Sequence, residues 1–91
     1  MRSFDIENKL HKVLQKLFKK DKKKYEIIWK KINEIINNSK IEHYKNLRYS
    51  LKEFKRAHIG YFVLVFKHDK KNDKIIFYDF DHYDNIYIKR Y

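Results

Sequence analysis

The sequence predicts an α+β domain in which an N-terminal helical hairpin packs on an antiparallel sheet of three to four strands. In the first forty residues, apolar side chains recur at helical spacing. From about residue 54 onwards, β-branched and aromatic residues dominate short runs that turns separate. A chain of 91 residues has the size of one domain, so we expect 1–91 to form a single unit.

The chain opens with a short strand and a helix. Phe4 and Ile6 alternate with polar neighbours, which indicates a strand. A helix is predicted over residues 9–19, with Asn8 as its N-cap, because an Asn side chain can accept from free backbone N–H groups. Its apolar face recurs at i, i+3, i+4 and i+7 and comprises Leu10, Val13, Leu14 and Leu17.

A second helix is predicted over residues 22–37, with Asp21 as its cap. Its apolar residues fall on one stripe that we expect to be core: Tyr25, Ile28, Trp29, Ile32, Ile35 and Ile36. The two helices then form an antiparallel hairpin with both apolar faces on a common sheet.

Three further strands are predicted, over residues 54–59, 61–68 and 74–80. Gly60 separates the first two, and the polar residues 69–73 form a hairpin loop between the last two. The run YFVLVF is nearly all apolar, so we expect that strand to be central and covered on both faces.

Composition narrows the classes of function. The 23 Lys and Arg against 12 acidic residues give a formal net charge of +11, which favours a polyanionic partner, although a compositional bias toward AT-rich codons would also enrich Lys. The absence of cysteine excludes disulfides and thiolate metal sites, and the histidines lack the paired helical spacing of a zinc site. No run approaches the ~20 apolar residues of a membrane span, and the N-terminus lacks the apolar core of a secretory signal, so we expect a cytoplasmic protein.

Three segments together resemble the RelE/ParE toxin superfamily, in particular the RelE-like mRNA interferases. They are LRYSLKE, with Arg48 and Leu51, then FKRAHIGYFVLVF, and finally FDHYDNIY near the end. The resemblance implies a toxin of a toxin–antitoxin pair that cleaves mRNA on the ribosome without metal or cofactor. It also implies a cognate antitoxin partner that holds the toxin inactive. Other members of the superfamily instead poison DNA gyrase.

The resemblance also implies site residues. Arg56 and His58 match alternate basic positions of the first long strand and share one face of it. His82 matches the terminal basic position of the family, and Tyr87 matches its final Tyr. We therefore predict a catalytic set of Arg56, His82 and Tyr83, and a substrate-binding set of Arg48, Lys55, His58 and Tyr87.

These residue types suit metal-free RNA cleavage. The 2′-hydroxyl must lose a proton, the leaving oxygen must gain one, and cations must stabilise the charged transition state. In the predicted site, Arg56 stabilises the phosphate, His82 transfers a proton, and Tyr83 stacks on a base or donates to the phosphate.

Two departures from the family pattern keep other functions open. Val63 stands where the family has an Arg on the central strand, and Tyr83 stands where it has an Arg after the His. In addition, His82 lies among carboxylates that repel phosphate, and it could be a hydrogen-bonded structural residue. The alternatives are a catalytically degenerate or gyrase-directed binding module and a plain basic RNA-binding protein.

Overall fold

The computed structural model describes residues 2–89, which form four strands and three α-helices. In chain order these are β1 (Ser3–Ile6), α1 (Asn8–Lys20), α2 (Lys22–Ile36), β2 (Lys55–Ile59), β3 (Phe62–Asp69), β4 (Lys74–His82) and α3 (Tyr83–Ile86). Two 3₁₀ turns, Ile41–His43 and Tyr49–Leu51, lie in the connection from α2 to β2. Within residues 2–89, no helix is long and apolar enough to cross a membrane.

The four strands form one sheet in the order β1-β4-β3-β2. β3 is antiparallel to both of its neighbours, β2 and β4, as predicted. β1 lies parallel to β4, with Ser3 opposite Lys74 and Ile6 opposite Phe77, so the complete sheet is mixed. Alternation of side chains fixes the two faces of a strand but not its direction beside a neighbour, and the residues alone did not predict this pairing.

β3 is an interior strand that is covered on both faces, which confirms the expectation for YFVLVF. Leu64 and Phe66 belong to the core beneath the two long helices. Val63 and Val65 point the other way, into a second, smaller core. All four side chains are 0% exposed.

The core beneath α1 and α2 is built from the two predicted apolar stripes. Leu10 and Leu14 of α1 are buried against the sheet, and the stripe of α2 is buried along its length at Ile28, Ile32, Ile35 and Ile36. Trp29 is half-buried at the margin of this core, with its ring edge-on to Phe4 at 6.4 Å between centroids.

The two helix caps differ in outcome. The Asp21 side chain accepts a hydrogen bond of 3.1 Å from the backbone N–H of Lys24, so the predicted cap of α2 is confirmed. The predicted cap at Asn8 is wrong, because Asn8 is the first residue of α1 and Glu7 precedes it without a side-chain cap. The Glu7 N–H donates to Phe77 O at 2.9 Å, so the chain enters α1 directly from its pairing with β4.

Replacing Asp21 by Ala is expected to lower the free energy of unfolding by about 1 kcal/mol, since it removes the side-chain acceptor of a helix N-terminus. The matched control is Glu26→Ala, which removes the same charge from an exposed position further along α2. Urea unfolding followed by circular dichroism measures both variants. Equal losses in the two would contradict a capping role.

Candidate functional site

The predicted site lies on the face of the sheet that points away from α1 and α2. Arg56 and His58 pair across β2 and β3 with Val65 and Val63, so all four side chains share that face. The covering segments there are short: the 47–54 connection and α3. They bury the second core, which comprises Leu47, Leu51, Phe54, Val63, Val65 and Ile86.

A tight turn closes one end of this face. Gly60 begins the two-residue turn between β2 and β3 with φ of 62°, a left-handed conformation that glycine adopts without steric penalty. The carbonyl of the next residue, Tyr61, accepts a hydrogen bond of 3.1 Å from the N–H of Tyr83. The start of α3 is thereby fixed to the turn, and a cleft of about 450 Å³ forms between them, lined by Arg56, His58, Gly60, Tyr61, His82, Tyr83 and Asp84.

Arg56 is held at the base of the cleft by aromatic residues. Its Nη1 lies 3.4 Å from the hydroxyl of Tyr87, and its guanidinium carbon lies 5.9 Å from the ring centre of Tyr83. The ring of His58 stacks near that of Tyr83, with centroids 5.9 Å apart. Arg56 Nε is buried without a hydrogen-bond partner within residues 2–89. The guanidinium of Arg56 supplies a positive charge at the base of the cleft, and such a charge attracts anions.

The phenol of Tyr83 is perturbed toward ionisation. A hydrogen bond with Tyr87 is the largest cause that lowers the pKa of Tyr83 below its usual value of 10.0, and the positive charges of Arg56 and Arg48 lower it further. Tyr83 therefore forms the phenolate more readily than an ordinary tyrosine does.

His82 is both a cap and an accessible titratable group. Its Nδ1 accepts a hydrogen bond of 3.3 Å from the N–H of Asp84, which caps α3. This bond leaves the proton of the neutral ring on Nε2. A carboxylate oxygen of Asp84 lies 3.7 Å from Nδ1, and 43% of the His82 side chain is exposed.

Of the remaining predicted residues, Tyr87 and Arg48 join the site and Lys55 does not. The Tyr87 hydroxyl accepts from the N–H of Arg48 at 3.3 Å. Lys55 alternates with Arg56 along β2 and therefore faces the opposite side of the sheet. Its Nζ donates to Tyr44 O and to Asn46 Oδ1, both at 3.0 Å, and burial is the main cause that lowers the pKa of this ammonium.

Lys89 neutralises two of the carboxylates that counted against a phosphate site, whereas the third, Asp84, lies in the lining of the cleft. Lys89 Nζ lies 2.7 Å from Asp79 Oδ2 and 2.6 Å from Asp81 Oδ2. Asp79 is only 1% exposed, and Lys9 Nζ also lies 3.5 Å from it. We call this contact of Lys89 with Asp79 and Asp81 the Lys89 clasp. It fastens the chain beyond α3 to β4.

Val63 occupies the position on the central strand where the family resemblance predicts an arginine. It is 0% exposed within the second core, beneath the cover that includes Ile86. An arginine at this position would place a guanidinium in an apolar cluster. Arg56 is the arginine that lines the cleft, and the charge of Arg48 acts on Tyr83 from beside it.

Three residues near the site were missed by sequence reasoning: Tyr49, Tyr61 and Lys89. Tyr49 and Tyr61 are 79% and 83% exposed, and the Tyr61 ring stacks near that of His82, at 6.5 Å between centroids. Tyr61 follows a glycine and Tyr49 lies in a polar connection, and these sequence contexts could have indicated that both rings are exposed. No sequence signal pairs Lys89 with residues eight and ten positions earlier. Among residues 2–89, no cluster of three or more His, Asp or Glu side chains could hold a metal ion.

The Lys89 clasp is expected to stabilise the fold over a wide range of pH. Burial opposes the ionised form of Asp81, but hydrogen bonds from Lys89 and Asn85 outweigh it and lower the pKa of this carboxyl below 3.8. Burial likewise opposes the charged form of Lys89, but Asp79 and Asp81 outweigh it and raise its pKa above 10.5. The lowered pKa of Asp81 stabilises the fold above the unfolded-state pKa of this carboxyl, and that contribution is lost as pH falls through the folded-state pKa. The raised pKa of Lys89 stabilises the fold below the unfolded-state pKa of this ammonium, and that contribution is lost as pH rises through the folded-state pKa.

Lys89→Met is expected to lower the free energy of unfolding by about 1–3 kcal/mol at neutral pH, because it leaves a buried carboxylate with fewer partners. The difference from wild type should hold between about pH 4 and pH 10 and shrink outside that range. Urea unfolding across pH measures it. Lys31→Met, which removes an exposed pair with Glu34, is the control, with an expected loss of at most about 1 kcal/mol. A Lys89→Met loss no greater than that of the control would show that the clasp contributes little.

Comparison with known proteins places the chain among small toxins. No family model matches the sequence. A protein of Methanocaldococcus jannaschii named "Putative toxin RelE4" is 54% identical over 91 residues, which cover 99% of this chain and 95% of that protein. The toxin–antitoxin complex RelBE2 of Mycobacterium tuberculosis contains a chain with a TM-score of 0.74 and 16% identity, covering 89% of this chain and 96% of that one. YafQ from E. coli has a TM-score of 0.68 and 16% identity, covering 96% and 99%. The two structures share the fold, and the identity to the archaeal protein shows that this chain belongs to the RelE toxin family.

Proposed function

We propose that the protein is the toxin of a type II toxin–antitoxin pair and acts in the cytoplasm as a metal-independent endoribonuclease on ribosome-bound mRNA. One observation carries the proposal. A single cleft is lined by an arginine, a histidine with a free ring nitrogen and a tyrosine with a lowered pKa: Arg56, His82 and Tyr83. These are the three kinds of group that cleavage by the 2′-hydroxyl requires.

In the proposed reaction, Arg56 binds a non-bridging oxygen of the scissile phosphate. Tyr83, as phenolate, accepts the proton of the 2′-hydroxyl, whose oxygen attacks phosphorus. The bond from phosphorus to the 5′ oxygen breaks, and that oxygen takes a proton from His82 Nε2. The products are a 2′,3′-cyclic phosphate and a 5′-hydroxyl. Of the two roles predicted for Tyr83 from the sequence, stacking on a base is compatible with this reaction, whereas donation to the phosphate requires the neutral phenol.

The replacement of the family arginine by Val63 favours a second candidate function. The buried valine removes one cation from the face of the sheet, and loss of one transition-state donor typically slows a reaction by ~10²–10³. A protein that binds an antitoxin or gyrase without cleaving RNA would tolerate that loss. The two functions differ in whether ribosome-bound mRNA is cut.

Arg56→Ala is expected to lower the rate of cleavage of ribosome-bound mRNA by ~10²–10³, since it removes the phosphate donor. His82→Asn is expected to lower it by ~10²–10⁴, because Asn can still accept from the N–H of Asp84 but cannot transfer the proton. Cleavage is measured by primer extension on mRNA in purified translating ribosomes.

Lys71→Ala is the matched control, because it removes a positive charge at the β3–β4 hairpin, at the opposite end of β3 from the Gly60 turn. It should cleave at the wild-type rate. Rates within a few-fold of wild type for both cleft variants would refute the assigned site. An intact message in the presence of wild-type protein that still arrests growth would favour the binding module, and inhibition of gyrase supercoiling would identify its target.

We further propose a cognate antitoxin as the partner that holds the protein inactive. The related fold of the M. tuberculosis protein is found in a toxin–antitoxin complex. The net charge of +11 suits an acidic or amphipathic helix that covers part of the basic sheet face.

The product of a short reading frame that abuts this gene is expected to bind tightly at low salt. Its association rate should fall on the order of tenfold or more as salt rises to several hundred millimolar, because screening weakens the attraction. Surface plasmon resonance measures the rates, with Lys71→Ala as a control that should change them little. Absence of binding at low salt, or a rate independent of salt, would contradict this proposal.

A further inference from the structure

Tyr49 occupies a position that is unfavourable for a tyrosine in two respects. Its backbone has φ of 60°, a left-handed conformation that strains residues other than glycine by about 1–2 kcal/mol. Its side chain is 79% exposed, so burial of the ring does not compensate for that strain. Strain of this kind persists where the surrounding structure imposes it, and it is frequent at ligand-binding sites.

The ring of Tyr49 makes an edge contact with a neighbouring tyrosine. Its ring meets that of Tyr87 at 6.1 Å between centroids and an interplanar angle of 81°. An edge contact of this kind stabilises by about 0.5–1.5 kcal/mol at most. The contact sets the direction of the Tyr49 ring but leaves most of its surface to solvent.

Tyr49 is the outer end of a row of rings that leads into the cleft. Tyr87 follows it, then Tyr83 at 5.5 Å from Tyr87, then His58 at 5.9 Å from Tyr83. Arg56 lies against the middle of the row, with Nη1 3.4 Å from the Tyr87 hydroxyl. A phosphate bound at Arg56 would therefore have exposed aromatic surface beside it, outside the cleft itself.

We propose that Tyr49 is a stacking platform for an unpaired nucleobase of single-stranded RNA, next to the nucleotide whose phosphate binds Arg56. Every base has a face that can stack, so the platform tolerates sequence and adds affinity rather than selectivity. The proposal rests on the proposed function, because it takes RNA as the ligand of the cleft. It gives the 49–51 turn a role in substrate binding that is separate from proton transfer.

The test is the binding of a fluorescein-labelled 2′-O-methyl RNA hexanucleotide, which lacks the 2′-hydroxyl and stays uncut. Fluorescence anisotropy at one fixed salt concentration gives the affinity. Tyr49→Ala is expected to weaken binding about tenfold, within the range measured for loss of one base–aromatic stack. Tyr49→Phe should bind within about twofold of wild type, because it keeps the ring face.

The control is Phe18→Ala, which removes a half-exposed aromatic ring from α1, on the other side of the molecule. It should leave affinity unchanged. Thermal melting by circular dichroism confirms that each variant is folded. Because alanine at residue 49 removes only an exposed ring, its melting curve should stay close to that of wild type.

Hexanucleotides with one abasic position supply a readout that a purely structural role would not move. For wild type, one abasic position should reproduce the tenfold loss, and for Tyr49→Ala that position should add no further loss. Wild-type affinity in Tyr49→Ala, or abasic losses that are equal in both proteins, would overturn the platform.

The outcome separates this inference from the nuclease proposal, since binding of the uncut analogue needs no catalysis. Loss of binding in Tyr49→Ala together with an inactive wild type would leave the platform standing and refute the nuclease. Cleavage by wild type with unchanged binding in Tyr49→Ala would refute the platform alone.

Discussion

The burial of β3 on both faces is the constraint on which the rest of the structure depends. Four consecutive side chains, Val63 to Phe66, are fully buried, so each face of the strand needs a cover. Two long amphipathic helices cover one face, and their apolar stripes are sufficient for it. Within residues 2–89, the other face is covered by a connecting segment, the four residues of α3 and Tyr87. A helix that short has no stability of its own, and it must be held in place by contacts with the sheet.

Those contacts also build the candidate site. The N–H of Tyr83 donates a hydrogen bond to the turn that follows Gly60, and His82 caps the helix. The Tyr87 hydroxyl accepts hydrogen bonds from Arg48 and Arg56. Each anchor of the second cover is therefore a group that lines or adjoins the cleft. Val63 is consistent with this arrangement, because its buried side chain belongs to the same apolar cluster as Ile86. An arginine at this position would require solvent or a counter-ion. The departure from the family pattern thus places an apolar side chain beneath the cover at a position where a cation was expected.

The sequence predicted the long-range architecture well and the details of the site in part. The helices, the three antiparallel strands and the central position of β3 follow from periodicity, which reports the face that each side chain occupies. The same rule predicts that Lys55 faces away from Arg56, so the assignment of Lys55 to the site conflicted with the alternation that placed Arg56 and His58 together. Asn8 failed as a cap because pairing of Glu7 with Phe77 begins the helix one residue earlier. A tertiary contact of that kind leaves no mark on local sequence.

The charges near His82 show most clearly why the electrostatics of the site could not be predicted from the sequence alone. In the sequence, Asp79, Asp81 and Asp84 form an acidic cluster that argues against an anion. In the fold, Asp79 and Asp81 form ion pairs with Lys89, and Asp84 remains 83% exposed beside the ring of His82. The acidic cluster is thus divided into a neutralised anchor and a single exposed carboxylate beside His82. The ring of His82 accepts the N–H of Asp84, so the start of α3 and the orientation of that ring depend on the same contact. The contacts that hold the second cover on the sheet therefore also position His82 in the lining of the cleft, and a change in one must alter the other.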